Sequence, residues 1–475
     1  MNAKKTALNK ERLRDRSSKC STRTILNLAL ICFQLGVSYA ALGDARAQSN
    51  EEITQEESVR LRNFSRLNRQ EVLDEAGKRT RELVSHALQF SPNVREAGYT
   101  AAAAEQDIGV AKSAKLPQIF ASGQSLMTTG DIAQSSKATG KPSLTLSAQM
   151  PVYDWGRIEA NIKGRESALT GAIARAALIE RQTAADAILN CLELNKSRAL
   201  LASNTEYLLK IKSFVDMLTK VVEADPGRAA EQVQAKSRLL QAVSTDETMR
   251  SKVQEVRIRL ERILGQDQAK LCEGVGLNFL AKPDIEQIAT NLKQHPQIIQ
   301  LEAETQQLQK NIDQISASRK PQVLLRGEHA PVSASLTNDY QQSLSVVISA
   351  PLYDGRSLES QERAAIERVS SADERATYAL KQLNTDLRER YKAAVSNLRR
   401  AEEYVGLLEI NNKVREDFFL QWAALGRRSL FELLAIEAEQ YSLQLGYFTA
   451  LYDGLSGIAY VSSQAGLVTE KDPRK

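Results

Sequence analysis

The sequence has few of the residues that build metal sites and catalytic centres. Its 475 residues include only three histidines, at positions 86, 295 and 329, and four cysteines. Such spacing forms no recognisable metal-ligand motif. The sequence contains no Gly-rich phosphate-binding loop, and no nucleophile, base and orienting group fall into a recognisable arrangement. The sequence therefore argues against an enzyme, and we expect no cofactor.

The chain also lacks a strong charge of either sign. It has 63 Lys and Arg residues against 58 Asp and Glu residues, and much of this small excess lies between Lys4 and Arg23. No basic cluster elsewhere suggests a nucleic-acid surface, so we expect no nucleic-acid partner.

Residues 1–47 are predicted to be a secretory signal peptide. A basic start is followed by an apolar stretch, Ile25 to Leu42, and by the small-residue cleavage pattern Ala45-Arg46-Ala47. A single uncleaved membrane anchor is the alternative, because the apolar stretch is near the lower length limit for spanning a bilayer.

Cleavage would leave two cysteines, Cys191 and Cys272. If the chain reverses near Asp225 as an antiparallel helix pair, the neighbour of Cys191 lies near residue 259. Cys272 lies further on, by about 20 Å along a helix. We therefore expect two unpaired thiols, with a disulfide as the alternative in an oxidising compartment.

The chain is an internal duplication. Residues 48–290 form the first predicted repeat, residues 291–468 form the second, and residues 469–475 form a tail. Three pairs of motifs recur in the same order: Leu116-Pro117-Gln118 as Lys320-Pro321-Gln322, Pro151-Val152-Tyr153-Asp154 as Pro351-Leu352-Tyr353-Asp354, and Gly227-Arg228 as Gly426-Arg427.

Each repeat is predicted to hold one β-hairpin. Polar and apolar residues alternate strictly from Ser143 to Met150 and again from Ser343 to Val346, and the apolar positions continue at Ile348 and Ala350. The predicted strands cover about 118–128, 143–152, 322–330 and 343–352. A length of about ten residues is what a tilted strand needs to cross a bilayer. A soluble hairpin is the alternative, but it explains two identical placements less well.

Long helices are predicted after each hairpin, over about 155–264 and 355–465. Proline is absent from Tyr153 to Asp225 and from Leu352 to Asp472, and apolar residues recur at spacings of three and four. A helix of about 65 residues would be ~100 Å long, so these helices are expected to pack as extended coiled coils. Aromatic residues, at 5% of the chain, suit such packing.

The predicted class is an α+β membrane protein that must oligomerise. Open sheet edges are not tolerated in lipid, and known spanning barrels start at about eight strands. Four strands from one chain therefore cannot close a barrel.

The duplicated motifs, together with Leu425-Gly426-Arg427-Arg428-Ser429-Leu430-Phe431-Glu432-Leu433-Leu434, resemble the TolC-like outer-membrane efflux family over about residues 80 to 468. This resemblance implies a homotrimer whose chains contribute four strands each to a twelve-stranded transmembrane β-barrel. A periplasmic α-helical coiled-coil barrel would continue it, so the protein is expected in the outer membrane, extending into the periplasm.

The resemblance also implies function and partners. The expected function is the exit duct of a tripartite envelope export system, with a periplasmic adaptor (membrane fusion protein) and an inner-membrane transporter of the ABC type. The double arginine and the Ser-Leu-Phe-Glu-Leu-Leu run favour type I protein secretion. Small-molecule or multidrug efflux is the alternative, and a periplasmic coiled-coil scaffold without a pore is the alternative of another class.

Two sets of architectural sites follow from the motifs. Pro151 and Pro351 are expected where a strand gives way to a helix, and Asp154 and Asp354 are expected to cap the long helices. The helix reversals are expected to form the tip that contacts the adaptor. The tip residues are Gly227, Arg228, Gly426 and Arg427.

The resemblance further implies a pore gate. Aligned on Gly426, the family's gate arginine corresponds to Arg428 and its first acidic residue to Glu432. The second acidic position is Ala435, so only part of the family's gate is present. The alternative is that Arg428 and Glu432 are solvated charges on a helix surface.

Overall fold

A computed structural model describes residues 69–124, 143–265, 269–331, 340–425 and 430–468. The predicted signal peptide and the tail at 469–475 lie outside these residues. The α-helices are α1 (Arg69–Phe90), α2 (Pro92–Ser113), α3 (Arg157–Ala224), α4 (Ala229–Leu264), α5 (Ile285–Thr290), α6 (Pro296–Ser318), α7 (Ser357–Leu425) and α8 (Leu430–Gln464). The strands are β1 (Gln118–Gln124), β2 (Ser143–Tyr153), β3 (Gln322–Pro331) and β4 (Tyr340–Ser349).

The described residues form two compact units. The sheet unit comprises residues 95–179 and 291–383, and the helical unit comprises the described residues within 69–94, 180–290 and 384–468. Each unit takes segments from both predicted repeats, because the chain passes between the units within α2, α3 and α7 as well as between residues 290 and 291. The last of these divisions coincides with the predicted boundary between the two repeats.

The sheet unit contains a four-stranded antiparallel sheet in the order β1-β2-β3-β4. The two strands of each predicted hairpin pair with each other, β1 with β2 and β3 with β4. β2 also pairs with β3, through Met150↔Leu325 and neighbouring residues, and so joins the two hairpins. β4 begins three residues earlier than expected and ends at Ser349, before the proline at 351.

Pro151 does not end its strand, contrary to the sequence-based expectation. β2 continues to Tyr153, and Pro151 pairs with Leu324 of β3. Two features allow a proline here. The ladder with β1 has already ended at Gln118↔Gln149, and the ladder with β3 shifts register between Pro151 and Tyr153. Proline is tolerated at such edges and bulges because it lacks the N–H that a regular ladder requires. Pro351, in contrast, follows β4.

The helical unit packs α1, α4, α8 and the adjoining parts of α3 and α7 around a main apolar core, and a smaller apolar cluster includes Phe214, Ala235 and Leu433. On α7 the predicted apolar stripe is buried, including Leu387, Leu398 and Ala401. Glycines on α8 allow close approach: a Cβ at Gly454 would lie 2.7 Å from Leu398 Cγ, and one at Gly457 would lie 2.6 Å from Ala394 Cβ. Small residues thus let the two helix backbones pack closely.

The expectation of two unpaired thiols is wrong, because Cys191 and Cys272 form a disulfide with a Cα–Cα distance of 5.0 Å. The expectation assumed that the helix after Asp225 continues past residue 259 to Cys272. Instead, α4 ends at Leu264, and Gly265 has a φ of +86°, which favours glycine and stops the helix. Cys272 lies in a short 3-10 helix, Ala269–Cys272, that packs back onto α3.

None of the helices in the described part of the chain is both long and apolar enough to span a membrane.

Candidate functional site

One face of the four-stranded sheet is apolar and exposed. Cross-strand pairing places Ile119 beside Ala148, Ala148 beside Gly327, and Gly327 beside Leu344. The large side chains on this face are between 48% and 76% exposed: Ile119, Leu144, Leu146, Leu344, Val346 and Ile348. The face extends over all four strands, so it is much larger than the scattered apolar residues of an ordinary surface.

The opposite face is mostly polar, although Phe120 and the paired Leu324 and Val347 also lie on it. Thr145, Ser147 and Gln149 of β2 alternate with the apolar residues, and Gln149 pairs with Arg326, which pairs with Ser345. Serine residues and Glu328 continue this face. The sheet therefore separates an apolar side from a polar side, which is the pattern of a membrane strand that faces lipid outside and water inside.

The sheet has two unpaired edges within the described residues. β1 pairs only with β2, and β4 pairs only with β3. Unpaired backbone groups at a sheet edge seek another strand, and in lipid they must find one. An apolar sheet with two open edges is therefore a sheet that further strands can extend on both sides.

The two strand-to-helix junctions share one capping geometry. Asp154 Oδ1 accepts a hydrogen bond from Gly156 N at 3.1 Å and Oδ2 accepts one from Ile158 N at 2.6 Å. Asp354 accepts the corresponding bonds from Arg356 N at 3.0 Å and Leu358 N at 2.8 Å. Each aspartate thereby satisfies amide groups at the start of a long helix, α3 or α7.

Each junction also holds two consecutive residues with left-handed backbone. Trp155 and Gly156 have φ of 57° and 81°, and Gly355 and Arg356 both have φ of 65°. The glycine is second in the first copy and first in the second copy. The duplicated turn thus keeps its backbone conformation although its glycine has moved, and each copy holds one non-glycine residue in a region that costs about 1–2 kcal/mol.

Exposed aromatic residues surround these junctions. Tyr353 is 87% exposed, and the rings of Tyr153 and Trp155 meet edge to face with centroids 5.0 Å apart. Lys320 Nζ lies 5.1 Å from the centroid of the Trp155 ring. Tyrosine and tryptophan at the end of an apolar strand region are typical of the girdle where a membrane protein meets the lipid headgroups.

The reversal between α3 and α4 is a short capped turn. Asp225 caps the 3-10 helix Pro226–Arg228 by accepting from Gly227 N at 3.0 Å. Arg228 donates to Glu231 Oε2 at 2.8 Å, so its charge is partly neutralised within the tip. Gly426, Arg427 and Arg428 lie outside the described residues, between the end of α7 and the start of α8.

Glu432 lies in the first turn of α8 and is half-buried. At 100° per residue, Glu432, Ala435 and Glu439 lie on the face opposite the buried residues Leu433, Leu434 and Glu437. Ala435 and Glu439 are exposed. The predicted gate residue is therefore on the side of α8 that faces away from the core of its own unit.

Sequence reasoning missed a buried carboxylate close to the predicted gate. The side chain of Glu437 is only 8% exposed, and its Oε2 lies 3.8 Å from Lys210 Nζ on α3 and 3.6 Å from Arg415 Nη1 on α7. One buried anion thereby holds cations from two other helices. The apolar pattern of α8 could have placed Glu437 on the buried face, but no local pattern identifies its two partners.

A second polar cluster involves α3, α4 and α8. Asp246 of α4 accepts from Arg250 Nε at 2.5 Å and from Asn204 Nδ2 at 3.4 Å. Tyr441 donates to Asn204 Oδ1 at 2.9 Å, and its ring stacks on Tyr207 with centroids 4.5 Å apart. Burial raises the pKa of both tyrosine hydroxyls above the usual value. Burial therefore makes the two tyrosines harder to ionise than exposed tyrosines.

Two stripes of apolar residues on the helical unit are exposed. On α4, Val233, Leu240 and Val243 are 66%, 71% and 48% exposed. On α7, Leu407, Ile410 and Val414 are 48%, 62% and 36% exposed. Both sets follow the spacing of three, four and seven residues that is typical of a coiled-coil contact.

The comparisons with known proteins agree with this geometry. Residues 83–266 match the family model described as outer membrane efflux protein. No curated protein sequence matches the chain significantly.

Among solved structures, the chain is similar to the Campylobacter jejuni CmeC outer membrane channel, with a TM-score of 0.72, 13% identity and coverage of 82% of this chain and 85% of that one. The outer membrane protein VceC from Vibrio cholerae matches with a TM-score of 0.69, 16% identity and coverage of 82% and 96%. The open state of the Neisseria gonorrhoeae MtrE outer membrane channel matches with a TM-score of 0.69, 13% identity and coverage of 84% and 91%.

These matches define the class of fold as that of the outer-membrane channels. They confirm the TolC-like resemblance and the fold class that the duplicated motifs predict. Residues 83–266 carry the match to the outer membrane efflux protein family itself.

Proposed function

We propose that the chain is one protomer of a homotrimeric outer-membrane channel, which serves as the exit duct of a tripartite envelope export system and extends into the periplasm. The observation that carries this proposal is the sheet: one face is apolar and exposed, the other is mostly polar, and both edges are open. In a lipid bilayer, the apolar face would contact lipid, the polar face would contact water inside a barrel, and the edges would pair with strands of further copies.

Assembly from several copies follows from the open edges. Three chains with four strands each would give twelve strands, an even number within the range of known transmembrane barrels. In a ring of this kind, β1 of one copy pairs with β4 of the next, and no edge remains. The polar face would then line a water-filled interior.

The exposed stripes on α4 and α7 provide a second contact between copies. Leu240 is as far from the start of α4 as Val414 is from the end of α7. Val243 lies nearly as far from the start of α4 as Ile410 lies from the end of α7, and both are about one helical turn further from the reversals than Leu240 and Val414. Because the two helices run in opposite directions relative to their reversals, α4 of one copy can pack antiparallel against α7 of the next with apolar residues in register.

The charges that flank the stripes agree with this pairing. Lys236 is nearly as far from the start of α4 as Asp417 is from the end of α7. Both side chains are exposed. Opposite charges at matched positions beside an apolar seam favour one register over others.

A conduit of this kind needs partners that supply energy and connect the membranes. We propose a periplasmic adaptor and an inner-membrane transporter of the ABC type, with the tip residues Gly227, Arg228, Gly426 and Arg427 contacting the adaptor. Within this function we favour type I protein secretion, on the strength of the Arg427-Arg428-Ser429-Leu430-Phe431-Glu432 run. Small-molecule efflux is the alternative function of the same channel.

Envelope fractionation followed by sizing in detergent tests the assembly. We expect the chain in the outer-membrane fraction and a detergent-corrected mass of three chains, with stable conductance in planar bilayers. A soluble monomer without detergent dependence would instead support a periplasmic scaffold, and a dimer would contradict the twelve-stranded ring.

The secretion branch needs its own test. Deleting the gene should stop export of one large protein encoded beside an adaptor and an ABC transporter, without a change in sensitivity to small toxic compounds. Unchanged export together with higher sensitivity to such compounds would favour the efflux alternative.

A further inference from the structure

The disulfide joins two parts of the helical unit that are distant in the chain. Cys191 lies on α3, and Cys272 ends the 3-10 helix Ala269–Cys272, with a sequence separation of 81 residues. Both cysteines are 0% exposed. The bond therefore closes a long loop from within the apolar core.

The segment that carries Cys272 has little regular structure of its own. Residues 269–280 contain two four-residue 3-10 helices, Ala269–Cys272 and Leu277–Leu280, joined by a turn at 273–276, and such short helices are weak when isolated. Three side-chain hydrogen bonds attach the segment to α1 and α3. They join Asn195 Nδ2 to Cys272 O at 2.9 Å, Arg79 Nη1 to Glu273 O at 3.3 Å, and Thr80 Oγ1 to Asn278 Oδ1 at 3.1 Å.

The segment lies very close to α3 beside the disulfide. Gly276 has a φ of +100°, and a Cβ at this position would overlap the side chain of Leu192, the residue that follows Cys191. Val275, Phe279 and Leu280 of the segment are buried in the same core. With the segment closed, neither sulfur is accessible to a protein or to a small thiol.

We propose that the Cys191–Cys272 disulfide is a maturation step, installed by a disulfide-donating oxidoreductase before the 269–280 segment closes over α3. Burial of both sulfurs dictates this order, because an oxidant cannot reach them afterwards. The proposal rests on the proposed function only in requiring export to an oxidising compartment.

The chemistry is two successive thiol–disulfide exchanges. The thiolate of one cysteine attacks a sulfur of the donor's disulfide, which forms a mixed disulfide and releases one donor thiolate. The thiolate of the second cysteine then attacks the chain's own sulfur in this mixed disulfide and releases the second donor thiolate. The chain loses two electrons and two protons, and the donor's disulfide is reduced to two thiols.

Alkylation of the wild-type channel tests the bond and its burial. A maleimide-linked polyethylene glycol should add to no cysteine of the native chain, either before or after incubation with dithiothreitol. Unfolding without reductant should still give no adduct, and unfolding with reductant should give two. Two adducts on the unfolded, unreduced chain would show free thiols and overturn the proposal. Adducts on the native chain after mild reduction would overturn the argument from burial.

A comparison of expression hosts tests the donor. In a host without its envelope thiol oxidase, newly exported chain should accumulate in the form that gives two adducts, and added cystine should restore the disulfide. Formation of the disulfide at the same rate in both hosts would contradict an enzymatic donor.

Proteolysis tests what the bond does for the segment. In the double variant Cys191→Ala with Cys272→Ala, cleavage within 269–280 should be about 100-fold faster, the size expected when a long-loop disulfide is lost. Asn195→Ala is the matched control, because it removes a hydrogen bond to Cys272 O and keeps the disulfide. Equal cleavage of both variants would contradict a special role for the bond.

Refolding keeps the proposal testable if the double variant does not fold. Reduced wild-type chain should recover protease resistance in oxidised glutathione and not in dithiothreitol. None of these measurements needs a pore, so a disulfide-bonded chain that fails to form trimers would count against the proposed function and leave this inference intact.

Discussion

Trp155 donates a hydrogen bond from its indole Nε1 to the carbonyl oxygen of Pro321 at 2.8 Å. The two residues belong to different repeats: Trp155 starts the turn after β2, and Pro321 directly precedes β3. The bond therefore reinforces the β2–β3 pairing, which joins the two hairpins into one sheet. The corresponding position in the second copy is Gly355, which has no side chain to form such a bond.

Trp155→Phe should weaken this connection while it keeps an aromatic ring beside Tyr153 and Lys320. Because the hydrogen bond is exposed and neutral, we expect a loss of about 0.5–1 kcal/mol in the free energy of unfolding. Urea titration of the detergent-solubilised channel would measure it. Tyr353→Phe serves as control, because Tyr353 is 87% exposed and should change nothing. Equal stability of all three proteins would show that the bond is not formed in the channel.

Glu437→Gln should destabilise the helical unit, because it removes the buried carboxylate that lies near both Lys210 and Arg415, although Lys210 keeps its ion pair with Glu206 at 2.7 Å. Both cations are partly solvated, so we expect a loss of roughly 1–3 kcal/mol rather than the full cost of breaking a buried ion pair. Glu409→Gln is the matched control. Its carboxylate lies 3.5 Å from Lys413 with both side chains largely exposed, and exposed pairs contribute little.

Thermal unfolding at low and high salt separates the two cases for Glu437. The loss should persist at about 1 M salt if the carboxylate is buried, whereas a surface interaction would be screened. A salt-sensitive loss of the same size in both variants would place Glu437 at the surface.

The features that local sequence determines were the ones that could be predicted. Alternation fixes which residues share a sheet face, and an aspartate shortly before a helix can cap it, as Asp154 and Asp354 do. The disulfide could not be predicted, because it depends on where the chain goes after Gly265 stops α4. Glu437 was missed for the same reason: its partners are distant in sequence and lie on two other helices, α3 and α7. Such contacts depend on packing and leave no local pattern.

The contact proposed between copies predicts a specific cross-link. Cysteines introduced together at Leu240 and Val414 should form disulfide-linked trimers under mild oxidation, because the two positions are equally far from their helix reversals. The native cysteines are already bonded to each other and should not interfere. Non-reducing electrophoresis would show the ladder of linked chains.

The matched control uses positions on the same stripes at different levels. Val233 lies near the start of α4, whereas Leu407 lies well before the end of α7, so the two are about 20 Å apart along the helix axes in the proposed register. Cysteines at these two positions should not cross-link. Equal cross-linking of both pairs, or of neither, would contradict antiparallel packing of α4 against α7 of the next copy.

Reversing one charge with Lys236→Glu should lower the yield of trimer, and adding Asp417→Lys should restore it.

The last prediction concerns the pore gate. Glu432 and Glu439 lie on the face of α8 opposite its buried residues and are two helical turns apart, about 10 Å along the helix. In a trimer whose α8 helices turn this face toward the pore, they would form two successive rings of three carboxylates, although the family's second acidic position is Ala435. Each ring would concentrate multivalent cations at a narrow opening.

Glu432→Ala should therefore weaken block by multivalent cations in planar-bilayer recordings, and the double variant with Glu439→Ala should weaken it further. Arg428→Ala should instead raise leak conductance at unchanged cation affinity, if Arg428 holds neighbouring helices together. Glu223→Ala, which removes an exposed carboxylate near the other reversal, provides the control and should leave the block unchanged. If the block is equally strong in wild type and the double variant, this face of α8 does not line the pore, and both carboxylates are ordinary surface charges.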